Sequence, residues 1–134
     1  MIPNTDMALR MLAQRLMVQL LPDLGTAYSQ SDGMLIGVLM NAIADEAAEG
    51  IDRRMKDIEE MQSLMEDAGL PVEFSRAAPE SLRLADVNAL HDRLTKRLIE
   101  LHAQAEAESD AAQCDVIWGY LRRHAERHRI TAAG

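Results

Sequence analysis

His124 and His128 stand four residues apart, the spacing that places two imidazoles on one helix face and that serves pairs of zinc-type ligands. No third ligand is legible beside them. Arg122, Arg123, Arg127 and Arg129 crowd the same two turns and would repel a cation, while histidines near a helix C-terminus are favoured by the helix dipole alone. The pair therefore reads first as structural or partner-facing, with metal ligation second. A di-iron bundle needs a Glu-x-x-His pair on two helices, but Asn88, Ile99, Leu121 and Ala125 occupy the positions three before the four histidines. His91 and His102 share a helix face about 16 Å apart along its axis, too far to hold one ion, and read as polar-edge residues.

Asp45, Glu46 and Glu49 form an acidic cluster that resembles one half of the magnesium site of all-helical nucleotide pyrophosphohydrolases. The other half, a Glu-x-x-Asp on a neighbouring helix, has no counterpart, so the cluster reads as a solvated acidic face. Phosphate-binding glycine loops and the Gly-x-Ser-x-Gly elbow are absent. Cys114 sits on an apolar stripe without a base beside it and reads as a buried, inert thiol. The nine methionines, at helical spacing, read as core before they read as a pocket lining. The sequence thus predicts no catalytic residue, no cofactor and no metal centre; His124, His128, Asp45, Glu46 and Glu49 are the only metal candidates it offers.

Four helices must position these residues. The first, Thr5 to Leu21, carries Leu9, Leu12, Leu16 and Leu20 at spacings of three and four, with Asn4 or Thr5 to cap it and Pro22 to end it. The second, Ser31 to Ala68, is long and central, with Ser29 or Ser31 as its cap and Gly69-Leu70-Pro71 as its stop. Its first half is apolar all round, which predicts the centre of the core. Its second half keeps one stripe, Ile58, Met61 and Met65, with acidic residues around it, which predicts solvent on most sides. Gly50, at the middle, is the expected bend. Gly33 and Gly37 form a small-x-x-x-small pair suited to the close approach of another helix. After an irregular crossover, the third helix, Ala85 to Ala107, has a single seam of Val87, Leu90, Leu94, Leu98, Leu101 and Ala105. The fourth, Asp110 to His128, is capped by Asp110 with Gln113. The expected fold is all-α: a single domain over residues 1–134, an antiparallel four-helix bundle built on the long second helix.

The chain has 134 residues and a formal net charge of −8, which disfavours nucleic acid and acidic membrane surfaces as partners. Its longest apolar run is far short of a membrane span, the N-terminus lacks the features of a signal peptide, and a lone cysteine fits a reducing compartment; a cytoplasmic location is expected. Nine acidic residues face three basic ones from Asp45 to Asp67, whereas Val116 to Gly134 carries four arginines against one glutamate.

The Leu20-Leu21-Pro22 stop, the apolar-to-acidic helix from Leu35 to Glu49, and Asp86-Val-Asn88-Ala-Leu90 ahead of the last helix resemble a family of small uncharacterised bacterial helical proteins linked with aminoglycoside-phosphotransferase-like enzymes and acyl-CoA dehydrogenases. That resemblance implies a helical bundle and an accessory role, and supplies no catalytic residues. The expected function is a non-catalytic interaction module, with an accessory subunit of a metabolic enzyme as its expected form. It would form a homodimer through Ile58, Met61 and Met65 and dock a protein partner through Arg122, Arg123 and Arg127. The alternatives are a small-molecule binding bundle and a divalent-metal-dependent phosphate-ester or nucleotide hydrolase.

Overall fold

The computed structural model describes residues 4–130. The reading of the N-terminal segment as free of a leader begins in residues 1–3, outside the described residues. The protein is all-α, with no strand among the described residues: α1 (Thr5–Arg15), α2 (Ala27–Asp67), a short α3 (Val72–Ser75), α4 (Leu84–Ala107) and α5 (Ala111–Arg127). None of these helices is long and apolar enough to cross a membrane.

Local chemistry sets the ends of the helices. The Thr26 hydroxyl oxygen accepts the Ser29 N–H at 3.0 Å, so α2 starts four residues before the expected Ser31. It runs 41 residues, continuing through Gly50. At its other end Gly69 adopts φ 75°, and the N–H groups of Leu70 and Gly69 return to the carbonyls of Met65 and Glu66, a closed cap that stops the helix. Ser109 (φ 56°) closes α4 in the same way, with Asp110 donating its N–H to the Ala105 carbonyl. The Asp110 carboxylate then accepts the Gln113 N–H and opens α5. Beyond α1, Leu16–Leu20 widens into a π-helical turn and Leu21–Asp23 tightens into a 3₁₀ turn at Pro22.

The chain packs as two compact units, one ending at Gly50 and the other spanning Ile51–Arg129. In the first unit, α1 and the turn after it pack on the early part of α2. Gly33 and Gly37 make the notch: a Cβ at Gly33 would stand 2.6 Å from Leu21 Cδ1, and one at Gly37 would stand 2.8 Å from Met17 Cγ. The glycines admit side chains of the first helical segment. Only this face of the early α2 is covered. Leu35, Ile36, Leu39 and Ile43 are about half exposed, which corrects the expectation that this stretch is the centre of the core. The apolar character is there, but a single neighbouring helix covers one side of it.

The core lies in the second unit. Ile58, Met61, Leu64 and Met65 of α2 pack with Val87, Leu90, Leu94, Leu98 and Leu101 of α4 and with Ile117 and Tyr120 of α5. Ile58, Met61 and Met65 are at most 1% exposed, so the stripe expected to form a dimer contact is the core of the unit and offers no free surface. The helices are also not uniformly antiparallel. Asp57 meets His91 and Met61 meets Thr95, the same offset of 34 residues in both pairs, so α2 and α4 run parallel, with the crossover returning the chain between them. Gln62 anchors that crossover by donating to the carbonyls of Phe74 and Ala77. The α5 helix runs against both: Asp57 reaches His128 while Glu60 reaches Arg123.

Candidate metal centre

Asp57 is the buried charged residue of this core, with 0% exposure. An unpaired buried carboxylate is costly, and here four side chains from two helices answer it. His91 Nε2 of α4 lies 2.9 Å from Asp57 Oδ2, His124 Nδ1 of α5 lies 2.8 Å from the same oxygen, and His128 Nε2, at the end of α5, lies 2.6 Å from it. Arg127 donates to the other oxygen, Oδ1, and with its second amino group to Glu60 at 2.6 Å. Glu60 also accepts from Arg123 at 3.1 Å. Burial pushes the Asp57 carboxyl up, but the donors His91, His128, Arg127 and His124 outweigh it and hold the group well below the usual carboxylate range. For Arg127, burial works against the charge, and the bonds to Asp57 and Glu60 raise its pKa in spite of it.

Helix periodicity explains the convergence. His124 and His128 follow Ile117 and Tyr120 on the inner face of α5, so the helix that fills the core also delivers both imidazoles. On α4, His91 and Thr95 flank the Val87-to-Leu101 seam one turn apart, and the Thr95 hydroxyl lies 3.5 Å from His91 Nδ1. That contact suits either tautomer: the hydroxyl donates when Nδ1 is bare and accepts when Nδ1 carries the proton.

Asp57, His124 and His128 offer ligand atoms that all lie within 4.8 Å of one another. The missing third group thus comes from α2, and His91 approaches the same oxygen from α4. The arginines behave differently from the sequence expectation as well. Arg127 is turned inward onto Asp57 and Glu60, and Arg123 holds Glu60, so much of the basic patch is engaged by the acidic helix of its own unit; Arg122 is exposed. Asp45, Glu46 and Glu49 belong to the first unit. There Asp45 pairs with Arg10 at 2.6 Å.

A cavity of about 120 Å³ adjoins the cluster between α4 and α5. His91 and His124 stand in its wall with Thr95, Leu98, Ile99, Ile117, Tyr120, Leu121 and His102. His102 lies edge-on to Trp118, ring centres 5.6 Å apart; its buried Nε2 has no hydrogen bond, and Glu106 is 3.6 Å from it. Burial first, and the nearby Asp57 charge second, push the Tyr120 phenol well above its ordinary range. Cys114 is half-buried, and desolvation with Glu106, Asp110 and Asp115 nearby raises its thiol pKa, keeping it a poor nucleophile. No protein-family description, no curated protein and no solved structure matches the chain.

Proposed function

We propose that the protein binds one divalent transition-metal ion at Asp57, His124 and His128, with the ion's fourth position open toward the adjoining cavity. The observation that carries this reading is the crowding at one atom. A carboxylate oxygen offers about two lone-pair sites, yet three imidazole nitrogens lie within hydrogen-bonding distance of Asp57 Oδ2. One ion held by Oδ2 and the His124 and His128 nitrogens, whose ligand atoms all lie within 4.8 Å of one another, relieves that crowding.

Tetrahedral bonds of about 2.0 Å separate neighbouring ligand atoms by roughly 3.3 Å, so the His124 and His128 nitrogens, at 2.8 and 2.6 Å, part from Asp57 Oδ2 by about half an ångström on loading. Arg127 on Oδ1 is compatible with this, because ligating carboxylates are commonly held by an outer hydrogen bond. Two imidazole nitrogens and one carboxylate oxygen suit zinc, cobalt, nickel or copper, and disfavour magnesium and calcium, which prefer all-oxygen sites. Cobalt(II) added to the protein is the test. Strong visible absorption of a low-coordinate cobalt ion, lost in His124→Ala, supports the reading; the weak spectrum of hydrated cobalt throughout overturns it.

Self-association is a second reading, favoured by the bare face of the early α2. Leu35, Ile36, Leu39 and Ile43 lie in a stretch with no charged residue between Asp32 and Asp45. A two-helix unit is too small to bury a core unaided, and a second copy packed on this stripe about a twofold axis supplies an equally apolar cover. Sedimentation at micromolar concentration would show a dimer that Leu39→Asp converts to monomer. A wild-type monomer removes this reading.

A further inference from the structure

We propose that the open position of the ion takes the carboxylate of a short unbranched aliphatic acid, whose second oxygen is held by His91 and whose tail lies in the cavity between α4 and α5. The proposal rests on the metal reading and names the ligand class of that site.

Charge selects an anion. A divalent ion held by the Asp57 carboxylate and two neutral imidazoles keeps one positive charge. Its surroundings do not cancel that charge, because Arg127 and Arg123 share the single carboxylate of Glu60. A monoanion at the fourth position does.

A donor waits for the second oxygen of a carboxylate, which a halide or a hydroxide would leave unused. Ionised Asp57 can only accept, so in the metal-free protein His91 Nε2 carries the proton it presents to Oδ2 at 2.9 Å. His91 Nδ1 is then bare and takes the Thr95 hydroxyl proton across 3.5 Å, which fixes this tautomer. Once Oδ2 is committed to the ion, the Nε2–H in the cavity wall turns to an oxygen arriving through the cavity.

The rest of the cavity fits hydrocarbon. Leu98, Ile99, Ile117 and Leu121 wall it, and its volume is about 120 Å³. An apolar cavity of about 150 Å³ takes benzene, so this one admits a chain of about four carbons and excludes a substituted ring. His102, about 16 Å along α4 from His91, already faces the Glu106 carboxylate at 3.6 Å. That end therefore asks for no second polar group, and the tail ends as a methyl.

The experiment titrates acetate, propionate, butyrate and heptanoate into the cobalt(II)-loaded protein, with butanol as the tail without its charge. The visible spectrum of cobalt shifts when an acid oxygen replaces water on the ion. A saturable shift is expected with each acid and none with butanol. Affinity should rise about fourfold per added carbon from acetate to butyrate, the worth of one buried methylene, and heptanoate, too long for the cavity, should bind no tighter than butyrate. His91→Phe should keep the cobalt spectrum and weaken butyrate about tenfold, the worth of a hydrogen bond to a charged group. Ile99→Trp enlarges a wall residue that is 63% exposed, and should remove the advantage of butyrate over acetate. Thermal unfolding of each variant confirms that it is folded. Cobalt bound in a site whose spectrum ignores every acid overturns this proposal and leaves the metal reading intact. Failure of cobalt itself to bind overturns both. Acid affinity that is independent of chain length, or unchanged in both His91→Phe and Ile99→Trp, places the acid outside the cavity and overturns the proposal.

Discussion

His124 and Asp57, 67 residues apart in the chain, meet at 2.8 Å between Nδ1 and Oδ2. This contact ties α5 to α2 at a point where no solvent reaches the carboxylate, and His91 and His128 converge on the same oxygen. Stability and the proposed function therefore share one residue.

Removing that residue should be expensive. Asp57→Ala leaves three imidazoles and one of the two amino groups of Arg127 without their acceptor, and breaking a buried pair by deleting one partner costs about 3–5 kcal/mol. Asp52→Ala, which loses an exposed pair with Lys56, should cost under about 1 kcal/mol. Urea unfolding of the two metal-free variants measures both. Equal, small losses would show that the Asp57 network is dispensable.

The acid limb of stability follows from the same carboxylate. Its pKa is depressed in the folded protein, so its contribution is complete above the ordinary carboxylate value of about 4 and is lost progressively as the pH falls from there through the folded-state value. Wild type should therefore lose stability below about pH 4 more steeply than Asp57→Asn. Superimposable acid limbs of the two proteins would contradict this.

Tyr120 offers a spectroscopic check on burial. With Tyr28 replaced by Phe, Tyr120 is the one tyrosine left, and burial beside Asp57 keeps its phenol protonated past the usual range. The ultraviolet absorbance of tyrosinate should rise well above pH 10, close to alkaline unfolding. A midpoint near 10 in the folded protein would place the ring in solvent.

Crowding at the glycine notch predicts an asymmetry between two glycines of the first unit. Gly37→Val must displace Met17, whose Cγ would stand 2.8 Å from the new Cβ, and should destabilise by about 1–3 kcal/mol. Gly25→Ala meets nothing within 4 Å and should leave stability within about 0.5 kcal/mol of wild type. Thermal denaturation monitored by circular dichroism compares them, and a tolerated Gly37→Val would contradict the packing of α1 on α2.

The helices were legible because local signals set them: the α4 seam of Val87, Leu90, Leu94, Leu98, Leu101 and Ala105 is buried as its spacing implies, and Gly69 and Asp110 cap where their chemistry suits. The distribution of burial along α2 was not. Apolar density made Leu35 to Ile43 look like the core, but burial depends on how many helices arrive, and α4 and α5 both arrive at Ile58 to Met65. The site was half legible. His124 and His128 announce themselves by spacing, whereas Asp57 is one acid among nine on its stretch of chain. One signal did mark it: at about 100° per residue Asp57 falls between Leu64 and Met61, inside the apolar arc of α2, where a carboxylate requires partners. His91 stands on the polar edge of its seam as expected, and only the parallel packing of α4 on α2 turns that edge toward Asp57.

Isothermal titration of zinc into the metal-free protein tests the central claim most directly. The structure predicts one equivalent bound, with binding abolished in His128→Ala and strongly weakened in His124→Ala, and unaffected in His102→Leu. No heat of binding in wild type, or an equivalent that survives both His128→Ala and His124→Ala, would contradict a metal centre at Asp57.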